Sequence, residues 1–198
     1  MEKRGTTQNK IIAVTGGIGS GKSAVLSIIK GLNYPVFSCD DFTKKAYKNK
    51  KVKSFLKGFC KNCFIGFFKT KIDRKTLAKL VFSSEEKRRE FTSVITPVVY
   101  DLTMKKVNKL KGVKFVEVPL LFELEKENDF DHVLVVKRKV ESRQKAVQKR
   151  SNVTEEDFYK IVNSQYDYKD VKNALVIEND GDLTALKSKV KDVIEKII

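Results

Sequence analysis

The pattern Gly16-x-x-x-x-Gly21-Lys22-Ser23 follows the short apolar run "KIIAVT" and precedes a segment with apolar residues at Val25, Leu26, Ile28 and Ile29. The run before it predicts a buried strand over 10–15, and the spacing after it predicts a helix over 22–31 with Gly31 as its stop. Glycines between strand and helix let successive backbone N–H groups converge on phosphate oxygens without Cβ atoms in the way. The helix adds the positive end of its dipole. Lys22 would place a point charge on the β- and γ-phosphates, and the Ser23 hydroxyl would be a ligand for Mg²⁺. Gly16, Gly17, Ile18, Gly19, Ser20, Gly21, Lys22, Ser23 and Ala24 are therefore expected to grip the phosphate chain of a nucleoside triphosphate.

The rest of the chain tells what kind of fold carries this loop. "YPVFSC" (34–39), "VKFVEVPLLFE" (113–123, broken by Pro119), "HVLVVK" (132–137) and "ALVIEN" (174–179) read as four more short strands. Between them, Phe91, Val94, Ile95, Val98, Val99 and Leu102 form a helical stripe. Pro97 within it either kinks one helix or starts a new one capped by Thr96. Helices are also expected over 139–150 and over 155–165, the latter opened by Thr154 with Asp157 three residues on. A closing helix should present Leu183, Leu186, Val190, Val193 and Ile197 on one face. Five β-branched strands alternating with helices predict an α/β fold, a five-stranded parallel sheet in a three-layer α/β/α arrangement. Ligands of such sheets sit at the carboxyl ends of the strands, which places residues 16–23, 38–41 and 117–123 on one rim.

At 198 residues, 41% of them hydrophobic, the chain has the size of one domain with a proper core. No apolar run approaches the roughly 18 residues that cross a bilayer, and the polar start "MEKRGTTQNK" is unlike a signal peptide, so no membrane association and a cytoplasmic location are expected. Cys39, Cys60 and Cys63 fit a reducing compartment. Cys60 and Cys63 form a single C-x-x-C with one histidine in the whole chain, His132, so two semi-buried thiols are expected there rather than a zinc site. Residues 40–111 hold 20 Lys and Arg against 7 Asp and Glu, contributing +13 of the net charge of +16. That suits a polyanionic partner, either nucleic acid or a phosphate-rich small molecule, unless lysine is simply over-used throughout.

Three groups on the rim bear on chemistry. Asp40 and Asp41 follow the second strand, where a carboxylate could accept the proton of an attacking hydroxyl, bind the hydration shell of magnesium, or cap the next helix. Glu117 ends the third strand, either as an acid near the metal or as a carboxylate paired with a lysine. Arg143, Lys145, Lys149 and Arg150 crowd one helix, as a solvated cationic face or as a lid that brings charge to a transferring phosphoryl group.

The collinear stretches "TGGIGSGKS" (15–23), "PVFSCDD" (35–41), "IDRKTLAKLVF" (72–82), "TPVV" (96–99), "VPLLFE" (118–123), "HVLVV" (132–136) and "VIENDGDL" (176–183) together resemble the dephospho-coenzyme A kinases. The resemblance implies MgATP-dependent phosphorylation of the ribose 3′-hydroxyl of dephospho-CoA. It implies a P-loop kinase core (about 10–45, 112–138 and 171–198), a helical acceptor-binding lobe (about 46–111) and a lid (about 139–170). Asp40 takes the position of the base, and Lys22 and Arg150 those of charge-neutralising groups. Asp73, Arg74 and Glu123 fall where the acceptor is bound, and Ser23 with Glu117 where Mg²⁺ is held. The chain departs from the family at Ser38 and Glu117, where aspartates are usual, and at Thr96, Ala146, Tyr168 and Val171. The alternatives are a nucleoside or nucleotide kinase of similar build, or a basic nucleic-acid-binding P-loop protein. The latter is disfavoured because no RNA- or DNA-binding motif is recognisable. A monomer or weak oligomer is expected.

Overall fold

The computed structural model describes residues 9–66, 71–151, 153–169 and 171–198. In chain order its regular elements are β1 (Ile11–Thr15), α1 (Lys22–Gly31), β2 (Val36–Ser38), α2 (Asp40–Ala46), α3 (Lys50–Phe59), β3 (Phe64–Ile65), β4 (Lys71–Ile72), α4 (Arg74–Val81) and α5 (Glu85–Val107). They continue with β5 (Lys114–Glu117), β6 (His132–Lys137), α6 (Val140–Arg150), α7 (Glu155–Ser164), β7 (Leu175–Glu178) and α8 (Leu183–Ile197). The chain divides into two compact units, Met1–Ser38 with Val107–Ile198, and Cys39–Lys106.

The first unit is built on a sheet of order β2-β5-β1-β6-β7, with every neighbouring pair parallel. The central strand β1 is buried through Ile12, Ala13 and Val14, and β6 through Val133–Val136. Such continuous apolar runs are what a strand covered on both faces requires. Val25, Leu26 and Ile29 of α1 join Leu186, Val190, Ile194 and Ile197 of α8 in the main core cluster. Ile194 thus takes the core place expected of Val193, which is only partly buried, and Leu183, the first residue of its helix, is 67% exposed. Strand β5 ends at Glu117 rather than running to 123. Val118 still donates to the carbonyl of Val14, but Pro119 has no N–H with which to continue the ladder. Helix α1 includes Gly31, and the left-handed residue beyond it is Asn33, at φ 65°.

The second unit consists of helices α2–α5 and the two-stranded β3–β4 ribbon. Its boundary falls directly after β2, so Asp40 belongs to it. Pro97 lies inside one continuous helix, α5. The buried positions Ile95, Val99, Thr103 and Val107 run along one face, while Pro97 and Ser93 are exposed. The carbonyl that Pro97 cannot serve is therefore on the solvent side, where water can bond it. Cys60 and Cys63 are both buried and joined as a disulfide. That corrects the expectation of two thiols, because the turn between α3 and β3 brings their Cα atoms to 5.4 Å, within bridging range. Among the described residues no helix is long and apolar enough to cross a membrane.

Candidate active site

The loop from Gly16 to Ser23 leaves the carboxyl end of β1 and enters α1, whose N-cap Gly21 makes no side-chain cap and whose first turn carries no acid. A helix start without a carboxylate of its own is electrostatically open to an external anion. The loop is held from outside by its carbonyl oxygens. Lys22 Nζ donates to Gly16 O at 2.8 Å and to Gly17 O at 3.3 Å, Arg143 Nε to Ile18 O at 2.8 Å, and Asn179 Nδ2 to Ser20 O at 2.8 Å. These contacts hold the loop peptides in place from four separate carbonyls.

Gly21 shows why the glycine spacing is obligatory. Its φ is +98°, and a Cβ would stand 2.1 Å from Asn179 Nδ2. Gly21→Ala must displace the amide that anchors Ser20 while straining the backbone. We expect a loss of about 1–3 kcal/mol in chemical denaturation. Nucleotide affinity should weaken at least tenfold, about 1.4 kcal/mol, in a direct titration.

Beside the loop lies a cavity of about 930 Å³, lined among others by Gly17, Ser20, Arg138, Arg143, Gln165 and Tyr168. Its far wall comes from α6, α7 and the segment after them. These helices pack against each other, Val147 and Phe158 being their buried residues, and α7 is capped by Thr154, whose hydroxyl accepts from Asp157 N at 3.1 Å. The Ser20 hydroxyl and Arg138 Nε, of residues that line this cavity, are buried without a hydrogen-bond partner among the described residues. Orphaned polar atoms on a cavity wall fit a ligand with polar groups of its own. Gln165 Oε1 accepts from Ile18 N at 2.9 Å, tying the end of α7 to the loop. The Tyr168 hydroxyl lies 3.5 Å from Thr15 Oγ1, and burial pushes its pKa up to about 12.

Tyr168 has a consequence for alkaline stability. Between pH 10 and about 12 the unfolded chain has released this proton while the folded chain keeps it. Stability therefore falls as pH rises through that window, by up to about 1.4 kcal/mol per unit. Tyr168→Phe is expected to flatten that part of the curve in urea unfolding series at stepped pH.

Glu117 is half-buried at the end of β5, and its Oε2 accepts from Ser38 Oγ at 2.9 Å across the β2–β5 register. The two departures from the usual aspartates thus face each other as one serine–glutamate pair, rather than a strand-end acid held by lysine. Ser23 is exposed in the first turn of α1 and Ala24 is partly buried. Glu123 is exposed and accepts from Tyr166 N at 3.0 Å, beside the stacked rings of Phe122 and Tyr166. Arg150 is the exposed last residue of α6 and does not line the cavity, whereas Arg143 does.

Asp40, Asp41, Asp73 and Arg74 belong to the second unit. Cys39 occupies the N-cap of α2 and Asp40 is its first helical residue, so the capping position does not fall on Asp40. Asp73 caps α4, accepting from Lys75 N at 3.0 Å and from Thr76 Oγ1 at 2.6 Å. The Thr76 hydroxyl, helped by the Lys75 and Thr76 amides, holds its carboxyl below the usual range. Arg74 is exposed. Among the described residues no three His, Cys, Asp or Glu side chains converge as a metal cage.

Sequence reasoning missed Asn179 and Arg138 and did not single out Arg143. Asn179 had a readable signal, since it follows the last strand at the same rim as the loop. Arg138 had none beyond a general positive charge, and Arg143 was expected only as one of four basic residues of a lid or a solvated face.

A family model described as dephospho-CoA kinase matches residues 10–185. The chain belongs to the dephospho-CoA kinase family. A Thermus thermophilus dephospho-CoA kinase is 33% identical over 190 residues, covering 94% of this chain and 91% of the relative. A Bacillus cereus dephospho-CoA kinase is 31% identical over 199 residues, covering 94% and 96%. Among solved structures, a Thermus thermophilus protein superposes with a TM-score of 0.77 at 32% identity, over 96% of this chain and 99% of that one. The family match takes in both the phosphate loop and the whole Cys39–Lys106 unit, which a likeness confined to the loop would not.

Proposed function

We propose that this protein transfers the γ-phosphoryl group of ATP to the ribose 3′-hydroxyl of dephospho-CoA, giving coenzyme A and ADP. The observation that carries this reading is the family match over residues 10–185. The loop amides and Lys22 orient the phosphate chain. Asp40 accepts the proton of the 3′-hydroxyl as its oxygen bonds to the γ-phosphorus, and the bond to the β–γ bridging oxygen breaks with its electron pair leaving on ADP. Arg150 would have to come in with movement of the lid to meet the charge that develops.

Mg²⁺, when bound, would neutralise negative charge on the donor's phosphate chain. The Ser23 hydroxyl and the Glu117 carboxylate are oxygen donors that suit it, and one carboxylate with the rest of the shell from phosphate and water is its usual mode. Ser38 fixes the rotamer of Glu117 for that task. The basic Cys39–Lys106 unit gives a pyrophosphate-bearing acceptor a favourable field, with Asp73 and Arg74 in it and Glu123 outside it as acceptor contacts. We place the enzyme in the cytoplasm, as a monomer or weak oligomer.

The test is ADP release coupled to dephospho-CoA, with mass spectrometry of the product. Phosphorylated product at the mass of coenzyme A is expected. Turnover of a nucleoside or a nucleoside monophosphate, with none of dephospho-CoA, would overturn the assignment.

A further inference from the structure

We infer that Arg143 is the lid cation that touches the terminal phosphate of the donor, an inference that rests on the kinase reading above. Four observations on one side chain support it. The guanidinium lies directly on the loop, with one terminal nitrogen 2.5 Å from where a Gly17 Cβ would stand. Its Nε is spent on Ile18 O at 2.8 Å, which sets the plane of the group and leaves the two terminal nitrogens as donors. Arg143 lines the same cavity as Gly17 and Ser20. Among the described residues no carboxylate lies within ion-pair distance of it, so its positive charge has no counter-ion among them.

A half-buried guanidinium without an anion is costly unless a ligand supplies one. Burial accordingly lowers its proton affinity. The ring of Phe158 supports it from behind, with Cζ 5.9 Å from the centroid. No other cation of α6 is placed this way. Ala146, one turn further along, is uncharged, and Lys145, Lys149 and Arg150 are exposed. Gln165 completes the arrangement as a positioning residue. It accepts from the N–H of Ile18 while Arg143 donates to the carbonyl of the same residue, so the two fix the lid to the loop at one point.

The test uses Arg143→Ala and Arg143→Lys in the full chain, checked for folding by thermal melting. Arg143→Ala is expected to lower kcat about 10²–10³-fold, as for removal of one preorganised charge donor. Its affinity for ADP with magnesium chloride should fall much less than its affinity for ADP with aluminium fluoride, since loss of the Ile18 contact weakens both and loss of the phosphoryl contact only the latter. The extra affinity that aluminium fluoride confers on ADP binding, by mimicking the planar phosphoryl group, should be lost. Millimolar guanidinium should restore part of the turnover of Arg143→Ala, and Arg143→Lys should fall between it and the wild type.

Near-wild-type kcat in Arg143→Ala would overturn the inference. So would equal losses in the ADP and the ADP–fluoride titrations without guanidinium rescue, because these mark a side chain that only holds Ile18. The fluoride titration needs no acceptor. It therefore reads Arg143 even if dephospho-CoA proves not to be the substrate, and that separate failure appears as wild-type protein inactive on dephospho-CoA.

Discussion

Lys22→Ala is expected to lower kcat/KM by about 10³-fold or more, a loss of roughly 4 kcal/mol of transition-state stabilisation. The ammonium group is carried by the first residue of α1 and held over the loop by the carbonyls of Gly16 and Gly17. These carbonyls hold the ammonium beside the loop, and a bound donor would offer it β- and γ-phosphate oxygens in their place. Its removal takes away a charge from the one place where charge migrates from the γ-phosphoryl group to the leaving ADP. Both ground-state binding and the barrier should suffer, so KM for ATP rises as kcat falls. Lys22→Arg is not expected to rescue, because the planar fork needs more room than a point charge between two backbone carbonyls. Steady-state kinetics with ATP varied at saturating dephospho-CoA reads both parameters. A Lys22→Ala enzyme within tenfold of wild type would mean that the amides carry the phosphate chain alone.

Asp40→Asn should have an effect of similar size by a different route. Loss of a general base typically costs about 10²–10⁴-fold, and it should appear in kcat while ATP affinity stays nearly unchanged. Asn keeps the shape of the side chain and its place as the first residue of α2, so the fold should be little affected. If Asp40→Asn kept its rate, Asp41, the next residue of the same helix turn, would be the base to test.

Much of the architecture was legible because it depends on residues close together in the chain. Strands β1, β6 and β7 were visible as β-branched runs, and their ends were off by at most one residue. The elements left open or misjudged each have a local cause that only the surroundings resolve. Pro97 stays within a helix because its face is exposed, and β5 stops at Glu117 because Pro119 follows. In α8, Ile194 rather than Val193 joins the core, since the sheet and α1 decide which side of a helix is covered.

The sequence by itself determined the phosphate loop, its lysine and serine, and the strand–loop–helix unit that presents them. These follow from glycine stereochemistry and hydrophobic spacing within about fifteen residues. Only the tertiary structure decided what surrounds the loop. Arg143 and Gln165 meet Ile18 from 125 and 147 positions away, Asn179 meets Ser20 from 159, and Ser38 meets Glu117 from 79. Each of these pairs exists because the strand order β2-β5-β1-β6-β7 brings distant carboxyl ends to one edge. Local propensity carries no information about strand order, which is set by burial summed over the whole sheet.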